Sequence, residues 1–309
     1  MLNITNFRYI DYYVNFLYNK FFIIIVKYFL IYTKLIFMNI NSKPIGIFDS
    51  GFGGITILKE LLKLMPNENY IYFGDNKNIP YGDKSKKEIV ELSSKMAEFL
   101  IKKNCKILVI GCNTISASAY KILKEKIDIP IIEVISNAVS EANKIAKDNI
   151  SIMATDFTVK SKIYLRKIKE KNKDIKITQI VCKKLCPMIE NGWESYENRF
   201  EILNDYIKKI DLNSDSLLLA CTHYPLIIKD IKKVLKENKN NVKKIIEPSR
   251  ITALSVKKYL KENNILNNNF NENKRLIIYT TSNDKNKSKN LLDVFLNNEK
   301  YKLELVNLD

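Results

Sequence analysis

The sequence predicts an α/β protein of two pseudo-symmetric lobes, each a mainly parallel sheet flanked by helices, with the active site in the cleft between them. Three features of the 309 residues lead there. From residue 44, short β-rich runs alternate with amphipathic helical stretches, the pattern of parallel sheets covered by helices on both faces. The polar residues that could carry chemistry fall just after the apolar runs, at the carboxyl ends of strands, where such folds bind ligands. One βα unit also occurs twice, as LVIGCNTISA (108–117) and LLLACTHYPL (217–226). Each copy is an apolar strand, a small residue, a cysteine and then polar residues including a threonine, so one copy belongs in each lobe.

In chain order the expected strands are PIGIF (44–48), YIYFG (70–74), KILVIG (106–111) and IPIIEV (129–134). ISIMA (150–154), IKITQIV (175–181), SLLLA (216–220), VKKII (242–246) and RLIIYT (275–280) follow. GITILKELLKLM (54–65) and KEIVELSSKMAEFLIKK (87–103) carry apolar residues at three- and four-residue spacing and predict helices.

Composition narrows the function. A hydrophobic fraction of 46% with 28% charged residues is that of a globular protein rather than a disordered one. The net charge of +17 raises a polyanion partner, but the lysines are spread along the chain and accompany a general enrichment in Asn and Ile. The densest basic run, RKIKEKNKDIK (166–176), is interrupted by acids and holds no aromatic for base stacking, and no helix-turn-helix or zinc-finger pattern is present. No nucleic-acid partner is therefore expected. The five cysteines follow no disulfide-scaffold spacing and fit a reducing cytoplasm.

The first 38 residues differ from the rest. FFIIIVKYFLIYTKLIF (21–37) is apolar but short for a membrane span, is broken by Lys27 and Lys34, and lacks a signal-cleavage site. Met38 opens MNINSKPIGIF in the manner of a natural start. Residues 1–38 are accordingly expected to be an unstructured or non-native extension, with no stable membrane association.

Four motifs at strand ends hold the candidate site. DSGFGG (49–54) matches neither the G-x-G-x-x-G dinucleotide fingerprint, since Thr56 takes the last position, nor a Walker A loop. It predicts a tight turn delivering backbone N–H groups to an anion at a helix start, with Asp49 and Ser50 projecting into the cleft. Asp75 and the Pro80-Tyr81-Gly82 turn form a loop able to lie over a small ligand. GCNT places Cys112, Asn113 and Thr114 at one strand end, and ACTHYP places Cys221, Thr222 and His223 at the other. His223, the one histidine in the chain, is a fitting proton partner for Cys221. Cys105, Cys182 and Cys186 lack such a setting and are expected to be structural. Cys182 and Cys186 are spaced like a metal pair, but with one histidine and no second pair no metal site is expected.

Two cysteines facing each other suit two-base proton transfer at a carbon stereocentre, with one thiolate abstracting a proton and one thiol delivering another to the far face. A disulfide oxidoreductase would place its pair as C-x-x-C, absent here. A Cys–His hydrolase using Cys221 and His223 would leave Cys112 surplus.

Together, IFDSGFGG, YFGDNKNIPYG, VIGCNTISA and LLACTHYPL resemble the glutamate racemases of the aspartate/glutamate racemase family over roughly residues 44–255. The resemblance implies a cofactor-independent cytoplasmic isomerase that interconverts L- and D-glutamate and supplies D-glutamate for peptidoglycan. It implies a first lobe of residues 39–135 plus 246–309, a second of 136–245, and allows a homodimer. Cys112 would be the base toward D-glutamate and Cys221 the base toward L-glutamate. Asp49 would support the first thiol and His223 the second, with Glu190 an accessory acid near Cys221. Ser50, Tyr81, Gly82, Asn113, Thr114, Thr222 and, in SIMATDFT, Thr155 match residues that hold the substrate. A racemase of another small acid, such as aspartate, is the alternative on the same scaffold.

Overall fold

The computed structural model describes residues 27–28, 40–268, 275–297 and 299–308. The expected extension over residues 1–38 lies outside these apart from 27 and 28. Among the described residues no helix is long and apolar enough to cross a membrane.

Two all-parallel sheets make the frame. The first orders its strands β10-β9-β2-β1-β3-β4, from β1 (Ile45–Asp49), β2 (Tyr70–Gly74), β3 (Ile107–Ile110), β4 (Ile131–Glu133), β9 (Leu276–Thr280) and β10 (Lys302–Leu305). The second orders β6-β5-β7-β8, from β5 (Asn149–Ala154), β6 (Lys176–Val181), β7 (Ser216–Ala220) and β8 (Lys244–Ile246). Within each, four successive strands take the same order: second, first, third, fourth. The chain leaves the first strand to one side and returns on the other, opening a crevice between the carboxyl ends of the first and third strands. These crevices lie between β1 and β3 and between β5 and β7. Cys112 follows β3 and Cys221 follows β7, so the sequence repeat is a repeat of topology.

The central strands are apolar on both faces because both are covered, as parallel sheets require. Ile45, Ile47, Ile107 and Val109 of the first sheet and Ile150, Ile152, Leu218 and Ala220 of the second share one continuous apolar layer. The helix Pro248–Glu262 packs there against both Ile55–Leu64 and Val134–Ile145. The opposite faces build separate cores, around Phe48, Phe73 and Ile110 in one lobe and Met153, Leu217 and Leu219 in the other. Alternation along each strand thus decides which residues join the lobes and which fill one lobe alone.

All nine expected strands are present, most with ends moved by one or two residues. IPIIEV shortens because the Glu133 carboxylate accepts the N–H groups of Ile135 (2.5 Å) and Ser136 (2.8 Å), turning Val134 into the start of a helix. β10 was not anticipated. Of KLEL only Leu303 is buried, so this edge strand shows no apolar run.

At the opposite end of the first sheet from the cysteines, Lys106 and Glu68 form a fully buried ion pair at 2.7 Å. Lys106 Nζ also donates to the Ile265 carbonyl (2.8 Å), and Glu68 accepts the Asn267 N–H (2.9 Å). Burial pushes the Glu68 carboxyl up and the Lys106 ammonium down, each restrained by the other's charge. Lys106→Met would strand the Glu68 carboxylate and should cost about 3–5 kcal/mol in urea denaturation, while leaving turnover per folded molecule unchanged.

Candidate active site

Asp49 closes β1 with no solvent exposure. Its Oδ1 accepts the Ser50 N–H (2.6 Å) and hydroxyl (3.2 Å). Its Oδ2 accepts the Gly54 N–H and, from the other lobe, the Thr222 hydroxyl (3.0 Å). Burial pushes this carboxyl up to about 6, against the pull of the His223 cation and hydrogen bonds from Cys112 and Thr222. The Ser50 hydroxyl lies 3.4 Å from Cys112 Sγ. Burial, then repulsion from Asp49, raises the Cys112 thiol far above the ordinary thiol range, so it holds its proton.

The second half-site has the opposite electrostatics. His223 Nε2 meets Glu190 Oε1 at 2.5 Å, and its Nδ1 lies 3.6 Å from Cys221 Sγ. Burial alone would strip the imidazole of its proton, but hydrogen bonds to Cys221 and Glu190 reverse that and hold His223 well above its ordinary value. Burial likewise works against a Cys221 thiolate, yet hydrogen bonds from Cys186 and His223 and the charge of the imidazolium hold Cys221 below the ordinary range. One thiol is therefore protonated and the other ionised.

The DSGFGG turn joins these halves. The Phe52 N–H donates to Glu190 Oε1 (2.6 Å), and Asn76 Nδ2 donates to Oε2 (3.2 Å). A side chain on Gly53 would overlap the His223 ring and the Thr222 hydroxyl, so only glycine lets the turn sit against the second lobe. The expectation of an anion held by this turn is met differently than anticipated. The Phe52 and Gly54 N–H groups are taken by the protein's own Glu190 and Asp49 carboxylates. Asp49 accordingly lies behind the cleft wall instead of projecting into it.

Ser50, Tyr81, Gly82, Asn113, Thr114, Thr155 and Thr222 line one narrow cleft with Cys112, Cys221 and His223. The Thr114 and Thr155 hydroxyls meet across it at 3.0 Å. Asn113 Oδ1 accepts the Tyr164 hydroxyl (2.6 Å), while its buried Nδ2 has no hydrogen-bond partner among the described residues. A buried donor without an acceptor is costly, and this one belongs to a residue of the cleft lining. Asp75 does not line the cleft. Its carboxylate accepts the hydroxyls of Tyr81 (2.5 Å) and Thr281 (2.6 Å) and the Asn78 amide (3.0 Å), so it fixes the Tyr81 loop from beneath.

Of the cysteines expected to be structural, Cys105 is one: it packs under Gly46, and burial pushes its thiol up to about 12. Cys182 is buried in the second core. Cys186 departs from expectation. Its Sγ lies 3.5 Å from His223 Nδ1, and it is hydrogen-bonded to Cys221. The helix Leu185–Glu190 supplies the missed signal, because residues four apart share a face and Glu190 was already placed near Cys221.

The Asp/Glu/Hydantoin racemase family model matches residues 55–254. A glutamate racemase of Fusobacterium nucleatum is 42% identical over 78% of this chain and 89% of its own length. Glutamate racemase 3 of Caldanaerobacter subterraneus is 40% identical over 73% and 82%. The crystal structure of Francisella tularensis glutamate racemase in complex with D-glutamate superposes with a TM-score of 0.79 at 37% identity, over 87% of this chain and 99% of that one. An aspartate racemase of Picrophilus torridus, 18% identical with a TM-score of 0.51, shares the fold alone. The twofold strand order, the paired thiols at its two crevices and these likenesses agree: the chain belongs to the Asp/Glu/hydantoin racemase family.

Proposed function

We infer that the protein is a glutamate racemase, interconverting L- and D-glutamate by two-base proton transfer and supplying D-glutamate for peptidoglycan. One observation carries the reading: two thiols at equivalent points of a repeated topology line one cleft, one beside Ser50 and the buried Asp49 carboxyl and the other beside the His223 imidazole. Its relatives at about 40% identity, named as glutamate racemases, favour glutamate over a shorter acid.

From L-glutamate, the Cys221 thiolate takes the α-proton and becomes a thiol, and the carbon flattens with its electron pair delocalised into the α-carboxylate. The Cys112 thiol then delivers its proton to the opposite face and is left as the thiolate. The D-to-L reaction starts from that state and runs in reverse. The two thiols supply both base and acid, so this sequence calls for no cofactor. His223 stabilises the Cys221 thiolate, Glu190 holds His223, and Asp49 with Ser50 flanks Cys112. The Asn113 Nδ2 donor is suited to a substrate carboxylate oxygen, where it would stabilise charge developing at the α-carbon. Ser50, Tyr81, Gly82, Thr114, Thr155 and Thr222 complete the substrate's surroundings, and Asp75 acts through Tyr81. The reading divides the chain into a first lobe of residues 39–135 plus 246–309 and a second of 136–245. The five free thiols suit a reducing cytoplasm, and the reading includes a homodimer.

In D₂O the wild-type protein should exchange the α-proton of both enantiomers with inversion, followed by proton NMR and optical rotation. Cys112→Ala and Cys221→Ala should each lower racemisation about 100- to 10,000-fold; hydrolysis surviving loss of Cys112 would instead favour the Cys–His hydrolase. Because His223 is the sole histidine, its imidazole gives a single NMR titration curve. That curve should stay at the protonated position past neutral pH, and in Glu190→Gln, which removes a charge that holds the proton on, it should titrate at lower pH. Asp49, a carboxylate above about 6, accepts a hydrogen bond from Cys112 and can take up its proton when the D-to-L reaction forms the Cys112 thiolate, so kcat/KM for D-glutamate should fall as pH drops through that value and the acceptor is lost. The Asp49→Asn variant, with no acceptor at any pH, should lose this limb of the profile together with most D-to-L activity.

A further inference from the structure

Cys186 exchanges no proton with the substrate in two-base transfer, where its hydrogen bond helps hold the Cys221 thiolate, and it also completes a cluster. The sulfurs of Cys186 and Cys221 and Nδ1 of His223 all lie within 4.8 Å of one another and are buried. We propose that Cys186, Cys221 and His223 form a binding site for a thiophilic divalent cation such as Zn²⁺, whose occupation arrests the enzyme by capturing its Cys221 base.

The three donors converge, and closing them on one cation takes a turn of the Cys186 side chain, because its sulfur lies 3.5 Å from His223 Nδ1 but also 3.8 Å from Nε2, beside the ring. With metal–sulfur and metal–nitrogen bonds of about 2.3 and 2.0–2.1 Å, neighbouring S and N ligands of a tetrahedral cation stand about 3.6 Å apart. His223 Nδ1 is 3.5 Å from the Cys186 sulfur and 3.6 Å from the Cys221 sulfur. A metal-binding histidine also needs its other nitrogen held, commonly by a carboxylate. Here Nε2 meets Glu190 Oε1 at 2.5 Å, and the Phe52 N–H fixes the same oxygen. Thiolate and imidazole donors select a cation of the Zn²⁺ type over Mg²⁺ or Ca²⁺. The three residues line the active-site cleft, so the fourth coordination position opens toward the space that holds the substrate.

Protons balance simply. An entering cation displaces the thiol proton of Cys186 and the Nδ1 proton of His223 to solvent, while Nε2–H stays on Glu190. The two-base reaction needs only Cys221 of the two sulfurs, so Cys186 is the residue that separates the metal site from catalysis.

The decisive experiment is a Co²⁺ titration of the reduced full-length protein, followed by absorption. The wild type should take up one Co²⁺ per chain, with a thiolate-to-cobalt charge-transfer band and the intense d–d bands of a tetrahedral site. Zn²⁺ should displace it, abolish racemisation, and be removed by a chelator with recovery of activity. Cys186→Val and Cys186→Ser, checked for folding by circular dichroism, should each weaken Co²⁺ binding at least about 100-fold. If one variant does not fold, the other decides. Absence of a thiolate band, or unchanged Co²⁺ affinity in a folded Cys186 variant, would overturn the proposal. The titration needs no turnover, so it remains decisive even if the racemase reading of the same site fails.

Discussion

The Glu190 carboxylate is the point on which the site is built. A buried carboxylate is costly unless its oxygens are met, and this one accepts the His223 Nε2–H, the Phe52 N–H and the Asn76 amide. Two of those donors come from the first lobe. The same hydrogen bonds therefore satisfy a buried charge, keep His223 protonated, and draw the DSGFGG turn against the second lobe. The turn can approach only because Gly51 and Gly53 carry no side chain where Glu190 and His223 lie. The apolar layer shared by the two sheets holds the lobes together, while Glu190 adds a directional contact that sets the register of one half-site on the other.

Topology is symmetric and electrostatics is not. The strand order is the same in both lobes, and each thiol follows the third strand of its unit. What differs is the nearest ionisable neighbour. Asp49, an anion at neutral pH, faces Cys112 and keeps its proton on; the imidazolium of His223 faces Cys221 and takes its proton off. The Thr222–Asp49 hydrogen bond links the two environments across the lobes. Moving a proton from one face of a carbon to the other needs one thiolate and one thiol, and two unperturbed thiols, at about 8.5, would both be mainly protonated near neutral pH.

Much of this was legible in the sequence, for physical reasons. Buried parallel strands demand apolar runs, and ILVI and SLLLA supply them. Chemistry at the carboxyl ends follows from the fold class, and the repeated Cys-containing unit picked out the two thiols. What was missed depends on three-dimensional partners. β10 is an edge strand with one buried residue, so its apolar signal is too short to see. Asp75 was read as lying near a ligand, but its oxygens answer to Tyr81, Thr281 and Asn78, and Thr281 lies far away in sequence. Cys186 was set aside because no polar neighbours flank it; its partners, His223 and Cys221, arrive from another strand.

That last omission bears on how such a site can be controlled. The features that hold Cys221 as a thiolate, namely a nearby imidazole and a hydrogen-bonding thiol, also make it ready to bind a soft metal. A lone catalytic thiolate beside a histidine offers a cation two donors. Cys186 adds a third within reach of both, on the face of its helix that Glu190 already fixes. Because the same sulfur must either accept the α-proton or bind the cation, occupation and turnover exclude each other at the level of a single electron pair. Inhibition of this kind requires no movement of the lobes and no second site.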